Sequence, residues 1–212
     1  MTDVVVVGAG IVGAAVAREL AVRGVGVTLL DRGAVSGGTT GLGEGNVLCS
    51  DKDAGPELEL ARSGLELFGE LEERLGDEAR IRRKGALIVH PEEETWAAEP
   101  ARLERIGVAG ARLVAADEVR ELDPELSGDV HGASLFPDDL QCDPRAVARA
   151  LVREAEQAGA TIREGCAVHA IVMGARYAPV DGGDEPALGE AGEPRSIGVC
   201  LLYTSPSPRD RS

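Results

Sequence analysis

Two stretches near the amino terminus carry residue types at spacings that could do chemistry. Gly8-Ala9-Gly10-Ile11-Val12-Gly13 puts glycine at the first, third and sixth places of a hexapeptide, and Asp31 follows 23 residues after Gly8. Glycine in the first place permits a tight turn. In the third it removes a side chain that would block a diphosphate, and in the sixth it lets a helix pack closely on a strand. Ile11 and Val12 then open a helix whose free backbone N–H groups and partial positive charge suit an anionic diphosphate. The Asp31 carboxylate can accept hydrogen bonds from ribose hydroxyls, and its charge would repel a 2′-phosphate. This is the chemistry of a dinucleotide cradle. The second stretch, 33–47, holds five glycines between positions 37 and 45 together with Thr39 and Thr40. Such a loop can lay backbone N–H groups and hydroxyls along a further part of an extended cofactor, or it can be a plain surface loop.

These groups need elements to position them. Val4 to Val7 is a short β-branched run bounded by glycine, the pattern of a strand buried on both faces of a parallel sheet. A helix over 14–23, Gly24 and a strand over 25–30 complete one βαβ unit, so the fold class is α/β. From Pro56, the residues Leu58, Ala61, Leu65, Phe68, Leu71 and Leu75 recur at steps of three and four, predicting an amphipathic helix. A strand over 85–89, a helix over 94–106 and a strand over 132–136 follow, with more strand-and-turn character than a plain doubly wound repeat. Asp143 and Pro144 read as N-cap and first turn of a helix over 145–158. Strands are predicted over 159–162, 167–171 and 196–199.

Composition removes whole classes of function. A net charge of −15 over 212 residues argues against binding nucleic acid or an anionic lipid surface. No apolar run is long enough for a membrane span, and a strand pattern begins at once, which points to a cytoplasmic protein without a signal peptide. The four cysteines, 49, 142, 166 and 200, form no CxxC pair, as expected of reduced, incidental thiols rather than a disulfide framework or a zinc site. No catalytic residue or metal site is nominated. His90, His131 and His169 lack a partnering acid or nucleophile and read as surface or strand-edge residues. Cys49 reads as a small buried hydrophobe, and Glu44 and Lys52 as solvated loop charges.

The fingerprint alone does not separate FAD from NAD. An NAD-dependent dehydrogenase would follow Asp31 with a second helix and a third apolar strand, and the glycine-rich loop stands there instead. Over residues 3–173 the chain resembles the flavin-dependent amine oxidoreductases of the D-amino-acid oxidase, glycine oxidase and sarcosine oxidase superfamily. The resemblance is carried by 4–32, the Ser36-Gly-Gly-Thr-Thr40 and Gly43-Glu-Gly-Asn-Val47 loop, Asp139-Leu-Gln-Cys-Asp-Pro144, and 158–168. Within the superfamily, Gly45-Asn-Val-Leu48 with Ser50-Asp-Lys52 and Pro56-Glu-Leu58 resembles the bacterial opine and hydroxyproline dehydrogenases.

The resemblance implies a Rossmann-like FAD domain in two parts, 1–80 and 141–199, with an α+β substrate domain inserted at 81–140. Gly8, Gly10, Ile11, Val12 and Gly13 would hold the FAD diphosphate and Asp31 the ribose, with Arg32 beside the adenosine. Thr39 and Thr40 would meet the diphosphate and ribityl region. Gly45, Asn46 and Val47 would run beside the isoalloxazine, and the Val168 backbone would pair with adenine. The implied reaction takes a hydride from the carbon bearing the amine of an amino acid or secondary amine, with oxygen or another acceptor receiving the electrons.

The family runs on past this chain, and its carboxylate-clamping residues lie mostly in that later part, so the sequence reads as truncated. Residues 200–210 resemble the in-frame translation of a transposon-end sequencing adapter, which makes 200–212 a non-native tail. Two further expectations follow from these observations: an NAD-dependent dehydrogenase, or a non-catalytic truncated chain.

Overall fold

The computed structural model of the chain describes residues 2–126 and 128–169 and the backbone of 198–201. Two compact units emerge, one drawn from the described parts of Met1–Leu42 and Ala148–Ser212, the other Gly43–Val147.

The first unit starts with β1 (Val4–Val7), α1 (Ile11–Val22), β2 (Val27–Leu30) and a short α2 (Thr39–Leu42). The sequence reading has 33–45 as loop throughout; α2 corrects it. In the second unit follow β3 (Asn46–Val47), α3 (Pro56–Leu75), a 3-10 turn (Gly76–Ala79), β4 (Arg82–Arg83), β5 (Ala86–His90) and α4 (Glu93–Ile106). Then come β6 (Arg112–Ala115), α5 (Ala116–Leu122), β7 (Gly132–Phe136) and β8 (Leu140–Gln141). The chain returns to the first unit along α6 (Pro144–Gln157), into β9 (Thr161–Arg163) and β10 (Gly198–Leu201).

The first unit is built on a parallel sheet in the order β10-β1-β2-β9. Alanine makes its helix–sheet contact thin: Ala14, Ala17 and Ala21 of α1 are buried with Val6 and Leu29 of the sheet. Arg18 of α1 donates from Nε to Glu154 of α6 at 3.0 Å. Asp143 caps α6 as expected, its Oδ1 accepting from the Arg145 and Ala146 amides at 3.0 and 3.2 Å. The strand expected over 167–171 is not formed in its described part, 167–169, which is irregular backbone; 170–171 lie outside the described residues. The last predicted strand is found two residues later, so β10 takes in Cys200 and Leu201 of the adapter-like tail. Residues 202–212 lie outside the described residues.

Two three-stranded antiparallel sheets, β3-β8-β4 and β5-β7-β6, make the second unit. The apolar face of α3 packs Leu58, Ala61 and Leu65 on Cys49, Ile106 and Phe136. That shared core places α3 in this unit, so compactness divides the chain at 42/43 and 147/148, where the sequence reading has divisions at 80/81 and 140/141.

Candidate functional site

The turn between β1 and α1 has the backbone a phosphate cradle needs. Gly8 sits at φ +101°, and the space where its Cβ would stand is open for 4 Å. A Cβ on Gly13 would lie 1.9 Å from the Gly8 carbonyl oxygen, so no other residue fits there. Gly10 has a reason the sequence did not disclose. Its Cβ would meet the Thr40 hydroxyl at 2.9 Å, because that hydroxyl accepts from the Ile11 amide at 3.0 Å. Thr40 therefore supplies the side-chain cap that Gly10 cannot. The amides of Val12 and Gly13 find no acceptor among the described hydrogen bonds and, as first-turn N–H groups, make up the positive end of α1.

Asp31 fastens the turn from the other side. Its Oδ2 accepts from the Ala9 amide and its Oδ1 from the Gly33 amide, both at 2.7 Å. Each oxygen keeps a lone pair for a ribose hydroxyl. Arg32, next in the chain, and Thr39 are exposed. Val168 is described two residues beyond Cys166, whose amide donates to the Asp31 carbonyl at 2.7 Å. Thus Gly8 to Gly13, Asp31, Arg32, Thr39, Thr40 and Val168 all belong to the first unit.

Sequence reasoning gives Ser36 no role at the site. Its amide donates to the Ala9 carbonyl at 2.9 Å, its φ is +59°, and its buried hydroxyl has no hydrogen-bond partner. A buried hydroxyl without a partner in a left-handed backbone is a strained arrangement, and such strain collects at ligand sites. The orphaned Ser36 hydroxyl, the open space over Gly8 and the unpaired first-turn amides suit the diphosphate of FAD.

Gly45, Asn46 and Val47 belong to the second unit. Gly45, at φ +76°, is pressed on β8: its Cβ would lie 2.0 Å from the Cys142 carbonyl oxygen, and its own carbonyl accepts from the Cys142 amide at 2.8 Å. Glycine here serves strand pairing. Asn46 is exposed, and its Nδ2 donates to Glu44 at 3.2 Å. An open cleft of about 360 Å³ lies against this segment, lined by Glu44, Asn46, Val47, Asp51, Lys52 and Ala61 among others. Lys52 donates to Asp51 at 3.0 Å, and that hydrogen bond raises the ammonium above its ordinary value. Glu44 and Lys52, expected as solvated loop charges, both line this open cleft, and Glu44 is exposed.

His90 corrects the reading of a surface or strand-edge residue. It is buried at the end of β5, with Nε2 at 3.2 Å from the Ser134 hydroxyl. Ser134 donates to Glu99 at 2.6 Å, and Arg102 donates to the same carboxylate oxygen at 2.9 Å. Cys49 is buried as expected, and desolvation pushes its thiol up.

The family model described as FAD dependent oxidoreductase matches residues 3–200. The chain belongs to that family. The NAD-dependent alternative falls with this match. A 4-methylaminobutanoate oxidase (formaldehyde-forming) of Paenarthrobacter nicotinovorans is 33% identical over 175 residues, 79% of this chain and 21% of that protein. An anaerobic glycerol-3-phosphate dehydrogenase subunit A1 of Haloferax volcanii is 31% identical over 162 residues, 76% of this chain and 27% of that protein. The crystal structure of glycine oxidase from Geobacillus kaustophilus superposes with a TM-score of 0.70 at 26% identity, over 77% of this chain and 46% of that one. This family member thus spans about a fifth to a half of the length of the relatives it matches. Among its described residues no helix is long and apolar enough to cross a membrane.

Proposed function

We propose that the chain is the FAD-binding portion of an oxidoreductase that takes a hydride from the carbon bearing the amine of an amino acid or secondary amine. FAD, when bound, supplies the hydride acceptor at flavin N5. The observation that carries the reading is the Gly8–Gly13 turn, with its obligatory Gly13 and its unpaired Val12 and Gly13 amides. Those amides and the Ser36 hydroxyl bind the diphosphate, Asp31 holds the ribose, and Arg32 flanks the adenosine. Thr39 and Thr40 lie along the diphosphate and ribityl chain, Val168 pairs its backbone with adenine, and Gly45 to Val47 run beside the isoalloxazine. In functional terms 1–80 and 141–199 bind the cofactor, and 81–140 is the substrate-domain insertion. A neutral amine surrenders hydride without a general base, so the protein's task is orientation and exclusion of water. The imine product then hydrolyses, and the electrons leave to oxygen or another acceptor.

The cysteines without a CxxC pair and the acidic surplus support a cytoplasmic protein that binds small molecules rather than nucleic acid. The test is the visible spectrum of the purified chain, followed by titration of flavin-free protein with FAD. Uptake of yellow FAD is the expected result. A colourless protein that takes up NAD and not FAD would overturn the reading.

A further inference from the structure

Residues 45–50 are splinted along one side by a short stretch of the second unit. The Cys142 amide donates to the Gly45 carbonyl at 2.8 Å, and Asn46 and Val47 pair with Gln141 and Leu140. Where the ladder ends, the buried Asp139 carboxylate takes over, accepting from the Cys49 and Ser50 amides at 2.9 and 3.2 Å. An ionised acceptor makes the stronger kind of hydrogen bond, so a side chain carries the grip of the strand on to residue 50. The Lys52 amide closes a turn on the Cys49 carbonyl at 3.2 Å.

Arg102 of α4 takes the carbonyls of that turn. Its Nη2 donates to the Ser50 and Lys52 carbonyls at 2.5 and 3.1 Å, its Nη1 donates to Glu99 at 2.9 Å, and its Nε lies 3.9 Å from Asp53. All three guanidinium nitrogens thus have partners in the chain itself, and a planar fork held this way fits two neighbouring acceptors with little loss of freedom. Glu99 is buried and accepts from the Ser134 hydroxyl at 2.6 Å, while His90 Nε2 lies 3.2 Å from that hydroxyl oxygen. Because Ser134 gives its one proton to Glu99, the imidazole donates to Ser134. Hydrogen bonds therefore run unbroken from β5 and β7 through α4 to the 49–52 turn.

We propose that Arg102, fixed by Glu99, is a positioning residue for the flavin: by gripping the carbonyls of the 49–52 turn it keeps the Gly45–Val47 strip in the one conformation beside which the isoalloxazine docks. The inference rests on the reading that places this strip beside the ring, and adds what holds the strip in place. A segment already ordered binds without a large ordering cost. With the grip removed, the turn is ordered only when the ring binds, and affinity for the ring falls. Affinity for the adenosine and diphosphate, which the first unit binds in that reading, does not.

The purified full chain, freed of flavin, is titrated by calorimetry with FAD and with ADP, which has the adenosine and diphosphate but no isoalloxazine. Arg102→Met and Arg102→Lys are titrated alongside. Removing Arg102 alone leaves the buried Glu99 carboxylate without its cation, so the Glu99→Gln/Arg102→Met double variant, which orphans no charge, accompanies them. Emission from Trp96, the one tryptophan of the chain, checks that the second unit keeps its fold. FAD affinity is expected to fall about tenfold in Arg102→Met and in the double variant, with part of the loss recovered in Arg102→Lys and ADP affinity held within about twofold of wild type throughout. Leu58→Ala, a substitution in the core of the same unit, should lower Tm without separating FAD from ADP. FAD binding indifferent to Arg102, ADP weakened in step with FAD, or the same separation in Leu58→Ala would each overturn this inference and leave the flavin reading standing. A wild-type chain that binds neither FAD nor ADP overturns the flavin reading, and this inference with it.

Discussion

Alanine at Gly13 sets two physical preferences against each other. Alanine favours a helix interior over glycine by about 1 kcal/mol, and Gly13 is the third residue of α1. Against this, the new Cβ would stand 1.9 Å from the Gly8 carbonyl oxygen, where a carbon–oxygen contact needs about 3.3 Å. The obstacle is backbone, so it cannot rotate away. Relief requires α1 to move off β1 by more than about 1 Å, which opens the contact made by Ala14, Ala17 and Ala21 and strains the Gly8 amide's 2.7 Å bond to the Leu30 carbonyl. Overpacking of this kind costs about 3 kcal/mol, so Gly13→Ala should be net destabilising by about 2 kcal/mol. For a chain of this length that lowers Tm by roughly 4–8 °C. Gly38→Ala is the control: its Cβ meets nothing within 4 Å, and its melting point should stay with the wild type. The assay is thermal unfolding followed by circular dichroism. A Gly13→Ala protein melting at or above the wild type would refute the claim that helix and strand backbones touch here.

Thr40→Val keeps the shape of the side chain and removes the acceptor of the Ile11 amide, so urea unfolding should find a loss of about 1 kcal/mol, with Thr40→Ser close to wild type. Equal stability of Thr40→Val and Thr40→Ser would discard the cap. Burial pushes the Cys142 thiol up to about 11, with Asp143 adding to the shift. The folded state therefore holds this proton more tightly than the unfolded chain does. Its stabilising contribution is complete below about pH 9 and is lost as pH rises toward 11. Unfolding curves from pH 7 to 11 should show the wild type losing stability faster than Cys142→Ala above pH 9; parallel curves would count against a desolvated thiol.

The cradle was legible in the sequence because its parts are close in the chain and its signals are local. A β-branched run, three glycines and an acid within 31 residues dictate strand, turn, helix and strand. Asp143 announced α6, and the period of leucines announced α3, for the same reason. In the loop at 33–47 the glycines and the two threonines carry a sequence signal, and Ser36, though part of the same motif, has no role that its type or spacing assigns. Only the fold buries the Ser36 hydroxyl and leaves it without a partner.

The short strands were not legible, since Asn46 and Val47 become strand only through Gln141 and Leu140, almost a hundred residues away. His90 was misread for a related reason: its partners Ser134 and Glu99 arrive from β7 and α4, and no spacing in the chain advertises them. Gly45 looked like a concession to a cofactor, and the fold adds a carbonyl of Cys142 at 2.0 Å from its missing Cβ. Sequence alone determined the βαβ cradle, because backbone conformation and periodicity are decided by near neighbours, while the flavin family came from a resemblance carried by motifs spread over 4–168. Tertiary structure alone decided which polar groups are paired, orphaned or turned to a cleft, because burial and hydrogen bonding depend on residues that meet only when distant segments pack.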